Sequence, residues 1–303
     1  MSAPREQPLV DQLHTLRDFI RWGASRFNEA GLFFGHGTDN AIDEATALIL
    51  HTLHLPPRDL PPELFGAHLT EVEKHKVLAL LERRIRERIP VPYLTREAWF
   101  AGLSFYVDER VLIPRSPLAE LIAQRFAPFV TLESVHTLLD LCTGSGCIAI
   151  ATAHAFPEAQ VDATDISEEA LAVARMNIER HGLEAQVHAF SSSLFQKLGG
   201  RRYDLIVSNP PYVGQAELAA LAREYHHEPR QALETEEEGL SIVLQILQQA
   251  PEHLNEKGIL VVEVGHSEAA LTERLPQVPF LWLEFERGGQ GVFLLTREQL
   301  EYL

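Results

Sequence analysis

The sequence predicts an α/β protein in which a doubly wound, mostly parallel sheet follows a small N-terminal helical domain and a linking β-hairpin. Three observations carry this. Beyond residue 136, short runs rich in branched apolar residues alternate with helix-period segments, as strand–helix units feeding a parallel sheet do. A glycine loop, Gly144-Ser145-Gly146, directly follows one such run, and another run stops abruptly at Asn209-Pro210-Pro211-Tyr212. The first 89 residues, by contrast, show helical spacing alone. The expected divisions are 1–89 for the helical domain, 90–116 for the hairpin linker and 117–303 for the larger domain.

Size and charge bound the rest. At 303 residues with 46% hydrophobic content, the chain can bury one large core or two. A formal net charge of -17 repels bare nucleic acid on average and attracts a basic protein, so no direct DNA binding is expected. Cys142 and Cys147 both lie in the glycine loop with no histidine at ligand spacing, so neither a disulfide framework nor a metal site is indicated and both read as small packing residues. No apolar run reaches membrane length and no signal pattern opens the chain, which sets the expectation of a cytoplasmic protein without a membrane partner.

In chain order, Leu13, Leu16, Phe19, Ile20 and Phe27 share a helical face within 9–30, with Gly31 placed to cap its C-terminal end. Asp39 to Leu53 makes a second amphipathic run and Thr70 to Ile89 a third, with Thr70 and Glu73 at capping-box spacing. Arg83, Arg84, Arg86 and Arg88 near the end of the third read as a solvated face matched to the negative helix terminus. Pro-rich 56–62 is a loop inside this domain. Gly35-His36-Gly37-Thr38-Asp39-Asn40 invites a phosphate-loop reading, but no strand precedes it and no Gly-Lys-Ser/Thr ending follows. A capping turn served by Thr38, Asp39 or Asn40 is the better account, with His36 structural. From Pro90 to Ile113 alternation through Tyr93, Trp99, Phe100, Phe105, Tyr106 and Val107 around Gly102 suggests the hairpin. Strands then fall at 136–141, 160–164, 186–190, 203–208, 258–264, 281–286 and 291–296, with helices from 147 and over 168–181, 239–254 and 267–275.

The chemistry gathers at two of these strand ends. The prolines at 210 and 211 fix φ and remove donors, leaving carbonyls free to accept, and Asn209 adds a side-chain oxygen beside them. Such a loop suits a planar NH2 group: its two hydrogens go to the Asn209 oxygen and the Pro210 carbonyl, while the Tyr212 ring covers its flat face. Taken alone, the same tetrapeptide is also an ordinary strand-to-turn stop. Gly144-Ser145-Gly146-Cys147-Ile148-Ala149 with Asp165 downstream fits a dinucleotide fingerprint, so a nicotinamide-dependent oxidoreductase has to be weighed. Against it, no proton-relay pair of the dehydrogenase kind is evident.

Leu139-Asp140-Leu141-Cys142-Thr143-Gly144-Ser145-Gly146-Cys147 followed by Ser208-Asn209-Pro210-Pro211-Tyr212 resembles the class I S-adenosylmethionine-dependent methyltransferases that modify amino groups. Gly35 to Asn40, Ala98-Trp99-Phe100-Ala101-Gly102, Val107 to Val111, Pro114-Arg115-Ser116-Pro117, Trp282 to Phe285 and Gly291-Val292-Phe293 narrow the resemblance to the protein N5-glutamine methyltransferase family, over nearly the whole chain from Gly35. The resemblance implies a class I methyltransferase Rossmann-like fold and S-adenosyl-L-methionine as cofactor, held by Asp140, Cys142, Thr143, Gly144, Ser145, Gly146, Asp165, Ile166, Ser193, Leu194 and Asn209. It implies Asn209, Pro210 and Tyr212 as catalytic, and Asn209, Pro210, Pro211 and Tyr212 as the binders of the substrate amide. Ribosomal protein L3 is the implied partner. Release factors are the alternative substrate, and a non-catalytic ribosome-assembly factor is the rival reading. Where the family carries Ser-Asp-Leu-Phe this chain has Ser192-Ser193-Leu194-Phe195, replacing a carboxylate near the adenine by a hydroxyl. His226-Glu228-Pro229 matches a family loop near the substrate and fits a turn role equally well.

Overall fold

A computed structural model describes residues 10–56, 60–286 and 288–302, so part of the Pro-rich 56–62 stretch lies outside the described residues. The chain divides into two compact units, the described residues up to Arg96 with Ala222–His227, and Glu97–Leu221 with Glu228–Leu303. The first division therefore falls between Arg96 and Glu97 rather than at 89 and 90, and a short stretch from far along the sequence belongs to the helical unit.

In the helical unit α1 (Leu16–Glu29) starts at a capping box between Thr15 and Asp18 and ends at Gly31, whose φ of 58° lets the Leu32 and Gly31 amides turn back onto the Phe27 and Asn28 carbonyls. Asn40 caps α2 (Ala41–Thr52) by accepting from the Asp43 amide, so the glycine-rich turn before it is a helix start. The Thr70–Glu73 capping box opens α3 (Glu71–Glu87) as its spacing requires. Phe19, Phe27, Leu48, Ile49, Val77 and Leu81 interlock between the three. The arginine face on α3 needs correction. Arg83 and Arg86 are exposed, but Arg84 is fully buried, donating from Nε to Glu44 at 2.7 Å, from Nη1 to Glu224 at 3.3 Å and from Nη2 to the Phe33 carbonyl at 3.1 Å. Its position follows Val77 and Leu81 along the inward stripe of the helix, which a count of charges does not register.

Pro90 to Ile113 is not one strand-like run. Pro92 lies in the first turn of a short helix, α4 (Val91–Thr95), where its fixed φ suits a helix start, and only β1 (Ala98–Phe100) and β2 (Leu103–Phe105) pair as the hairpin. Ala101 and Gly102, both at positive φ (48° and 82°), make its two-residue turn.

The second unit carries α5 (Leu118–Ala123), β3 (Thr137–Leu141), α6 (Cys147–Ala155), β4 (Gln160–Asp165), α7 (Glu168–Arg180), β5 (Val187–Ser191), β6 (Tyr203–Ser208), α8 (Gln215–Ala220), α9 (Ser241–His253), β7 (Leu254–Glu263), α10 (Glu268–Arg274), β8 (Leu281–Trp282) and β9 (Val292–Thr296). They form a seven-stranded sheet in the order β5-β4-β3-β6-β7-β9-β8, parallel through β7, with β9 antiparallel to both β7 and β8. This is the doubly wound sheet ending in an antiparallel hairpin that the alternation predicts, although β8 is shorter than the run at 281–286. Both faces are dry. Ile259 and Val261 of β7 enter one core with Leu205 and Val207 of β6, while Leu260 and Val262 enter the other with Ile206 and Tyr203. The strand order reverses between β3 and β6, and at such a switch point the loops beyond the carboxyl ends diverge and leave a crevice.

Candidate active site

The crevice is built by the residues that end β3, β4 and β6. Beyond Leu141 the chain turns sharply: Cys142 takes φ 59°, Gly144 φ 55° and Gly146 φ 81° before α6 begins at Cys147. Glycine at 146 serves packing, since a Cβ there would lie 3.3 Å from the Ala174 Cβ of α7. At Gly144 the space a Cβ would enter is open, so backbone can meet a ligand closely. The turn is pinned from both sides. The Asp140 Oδ2 accepts from Thr143 Oγ1 at 2.5 Å and from the Ala149 amide at 3.0 Å, and Asp165 at the end of β4 accepts from the Gly144 amide at 2.9 Å and the Ser167 amide at 2.9 Å.

Among the described residues no Lys, Arg or His forms an ion pair with either acid. Burial raises Asp140 to about 7 against the bonds from Thr143 and Ala149, and the neighbouring Asp165 adds to the rise. Burial likewise pushes Asp165 above the usual carboxylate range, opposed by the amides of Ser167, Gly144 and Ile166. The Asp140 Oδ1 is buried without a hydrogen-bond partner among the described residues. Burial also pushes the Cys147 thiol up to about 12 and raises Cys142, so neither is a nucleophile.

The Asn209 turn arrives from β6. Ser208 is fully buried and donates to the Leu141 carbonyl at 2.9 Å, which ties the end of β6 to that of β3 and sets Asn209 beside the glycine loop. The Tyr212 hydroxyl donates to Glu263 at 3.0 Å, its carbonyl accepts from Ser267 at 3.2 Å, and the next residue, Val213, bridges to Glu234.

A cavity of about 250 Å³ opens between these loops. Of the residues singled out in the sequence, Cys142, Gly144, Asp165, Ile166, Ser193, Leu194, Asn209 and Pro211 line it. Asp140, Thr143, Ser145, Gly146, Pro210 and Tyr212 are not among its lining residues. Asp140, Thr143, Ser145, Gly146 and Pro210 are buried behind the surface, and Tyr212 is half-buried to one side. Sequence reasoning missed several wall residues: Arg110, Val111 and Leu112, which continue from the hairpin, and Gln231, Ala232 and Glu234. Arg110 is aimed by Asp108, which accepts from its Nε at 2.8 Å and Nη2 at 2.6 Å. Its signal was the Asp-x-Arg spacing within Val107 to Val111. The 231–234 stretch is short and irregular and carries no periodic signal. The Pro114–Pro117 turn stands behind the wall, with Arg115 forked onto Glu228 at 2.6 and 2.8 Å and Ser116 bonded to Glu263 at 2.5 Å. Of the 226–229 motif, Glu228 is thus a buried anchor and Pro229 reaches the cavity. No cluster of three or more His, Cys, Asp or Glu able to hold a metal occurs among the described residues.

Comparison with known proteins agrees with this geometry. The family model for the methyltransferase small domain matches residues 121–257. Two curated proteins from Xylella fastidiosa, of strains Temecula1 and 9a5c, each named ribosomal protein uL3 glutamine methyltransferase, are 56% identical over 300 residues, covering 99% of this chain and 96% of the relative. Among solved structures, the hMettl16 catalytic domain in complex with MAT2A 3'UTR hairpin 6 shares the fold at a TM-score of 0.50 and 18% identity, covering 78% of this chain and 86% of that one. Identity of that extent along almost the entire length means that the chain belongs to the ribosomal protein uL3 glutamine methyltransferases, a family within the class I methyltransferases.

Proposed function

We propose that this chain transfers a methyl group from S-adenosyl-L-methionine to the side-chain amide nitrogen of a glutamine in ribosomal protein uL3, in the cytoplasm where that protein is made. The observation that carries the reading is the single cavity lined by Gly144, Asp165 and Asn209, residues drawn from three strand ends. The residues present fit the cofactor. Gly144 leaves open space at its Cα, Asp165 offers acceptors at the cavity wall for ribose hydroxyls, Ile166 and Leu194 give apolar cover, and the unpartnered oxygen of Asp140 suits a cationic ammonium group behind the loop. Ser193 stands where the family's carboxylate is expected and can still accept a hydrogen bond.

When bound, the cofactor supplies an electrophilic methyl carbon on a positively charged sulfur. The chain's own task is positioning. An amide nitrogen is a poor nucleophile because its lone pair is shared with the carbonyl. Asn209 Oδ1 and the Pro210 carbonyl, by accepting both N–H groups, favour pyramidal nitrogen and direct its lone pair. The Tyr212 ring shields one face, and the proton departs to solvent once the nitrogen is alkylated. No general base is needed, which agrees with an Asn rather than a carboxylate at the turn.

Incubation of the purified chain with tritiated cofactor and free uL3, release factors or DNA tests the substrate. Labelling of uL3 is the expected result. Labelling of release factors alone would move the chain to a different substrate, and labelling of DNA alone would end the protein-substrate reading.

A further inference from the structure

The last residue of β7, Glu263, is an acid in a place that favours an apolar side chain. Ser208 of β6 lies opposite Val262, so Glu263 occupies the sheet position next to the start of the Asn209 turn. Only 5% of it is exposed, and burial pushes its pKa above the usual carboxylate range. Among the described residues no ion pair reaches it, and Arg115, the cation that acts on it through space, is committed to Glu228. Its two oxygens accept instead from two hydroxyls, Ser116 at 2.5 Å and Tyr212 at 3.0 Å. A buried acid held only by hydroxyls stabilises a fold less than an apolar residue of its size would, so its presence calls for another account.

The surroundings of Tyr212 supply that account. Its carbonyl is fixed by Ser267 and by the closeness of Gly239, where a Cβ would lie 2.3 Å from that oxygen. One edge of its ring lies close to Gly265, where a Cβ would come within 2.5 Å of the Cε2 atom. The hydrogen bond to Glu263 ties down the hydroxyl end of the ring, and Ser116 in turn holds the acid.

We infer that Glu263 is a positioning residue for methyl transfer, holding the Tyr212 ring at the place where it covers the substrate amide. This rests on the reading of Asn209 to Tyr212 as the amide-binding turn. The full chain, purified uL3 and tritiated cofactor provide the assay, and calorimetry gives the cofactor Kd. Glu263→Leu removes the acceptor without opening a large void. It should lower kcat roughly three- to tenfold, the range for one net hydrogen bond, with the cofactor Kd unchanged. Tyr212→Phe should cost a similar factor, and the double variant should be no slower than either single one, because both remove the same contact. Glu263→Gln, which keeps an acceptor, should recover most of the loss. Wild-type kcat in either Glu263→Leu or Tyr212→Phe, or losses that multiply in the double variant, would overturn the inference. If Glu263→Leu does not fold, Tyr212→Phe alone decides. Full turnover in Asn209→Ala would instead sink the reading beneath it, whereas an inactive Asn209→Ala beside a fully active Glu263→Leu refutes the positioning role only.

Discussion

Both units of this protein bury carboxylates, but Glu44 and Glu224 of the helical unit are held differently from Asp140 and Asp165 of the catalytic unit. In the helical unit Glu44 and Glu224 are 2% and 0% exposed, and each is bonded to Arg84, with Arg88 adding a second cation on Glu224 at 3.0 Å. In the catalytic unit Asp140 is equally buried, yet neither it nor Asp165 meets a Lys, Arg or His among the described residues, and their shared negative charge raises Asp140 further. Glu44 and Glu224 each meet a guanidinium group, although the Glu224 Oε2 is buried without a hydrogen-bond partner among the described residues. Asp140 and Asp165 are bonded only by backbone amides and a hydroxyl, with no cation paired to them among the described residues, so their charge is compensated only when something positive arrives. The first arrangement holds a fold together and the second waits for a ligand.

The largest effect that separates them is on stability. Arg84→Ala leaves two carboxylates buried without their shared cation, and about 3–5 kcal/mol of destabilisation is expected in thermal or urea unfolding. Replacing Glu44, Arg84 and Glu224 together by apolar residues of similar volume should be close to neutral, because the cost lies in the orphaned charge. If the triple variant falls as far as the single one, the cluster is worth more than its pairing. Asn209→Ala should invert the pattern. Turnover with uL3 falls on the order of 10²-fold or more, far more than cofactor binding or stability, since the main interaction of the side chain is with the reacting amide.

What was legible beforehand follows the same division. The strand alternation, the glycine loop, Asp165 and the Asn209 turn were readable because each is a local pattern with a local cause, such as a positive φ at Gly144 or a φ-locked stop at Pro210 and Pro211. Arg84 was misread as solvated because its partners are 40 and 140 residues away, a separation that charge spacing on one helix cannot convey. Glu263 escaped notice for the same reason: Ser116 and Tyr212 are 147 and 51 residues distant. The helical content of Val91–Thr95 was hidden by aromatic alternation that a proline in the first turn overrode. Local rules find turns and caps, whereas the satisfaction of buried charge is settled only when distant segments meet.

The remaining two predictions probe the ligand-directed acids. Asp165→Ala should weaken cofactor binding by roughly 1.5–3 kcal/mol, the scale of a charge-assisted hydrogen bond. The same carboxylate also holds the Gly144 amide, so part of that loss comes from a looser glycine turn. Asp165→Asn separates the two. One side-chain oxygen still accepts from an amide, and an affinity midway between wild type and Ala is the expected calorimetric result. Unchanged affinity in folded Asp165→Ala would remove the residue from the site.

The smallest effect is in pH. Asp140 is raised to about 7 in the folded chain, against roughly 3.9 for an unfolded aspartate, so without ligand the protonated form is the one the fold prefers. The stability this contributes is fully present below about pH 4 and is lost as pH rises through 7. An ammonium group set against the free oxygen reverses that preference by favouring the carboxylate, so binding must expel a proton wherever Asp140 is still protonated. Cofactor affinity should therefore rise with pH by somewhat less than tenfold per unit up to about 7 and level off above it. Titrations at pH 6 in buffers of different ionisation enthalpy would count the proton released. Asp140→Asn should bind more weakly at pH 8 and lose most of the slope below 7, leaving only what Asp165 contributes. A slope that survives Asp140→Asn intact would show that the cationic end of the cofactor meets some other group.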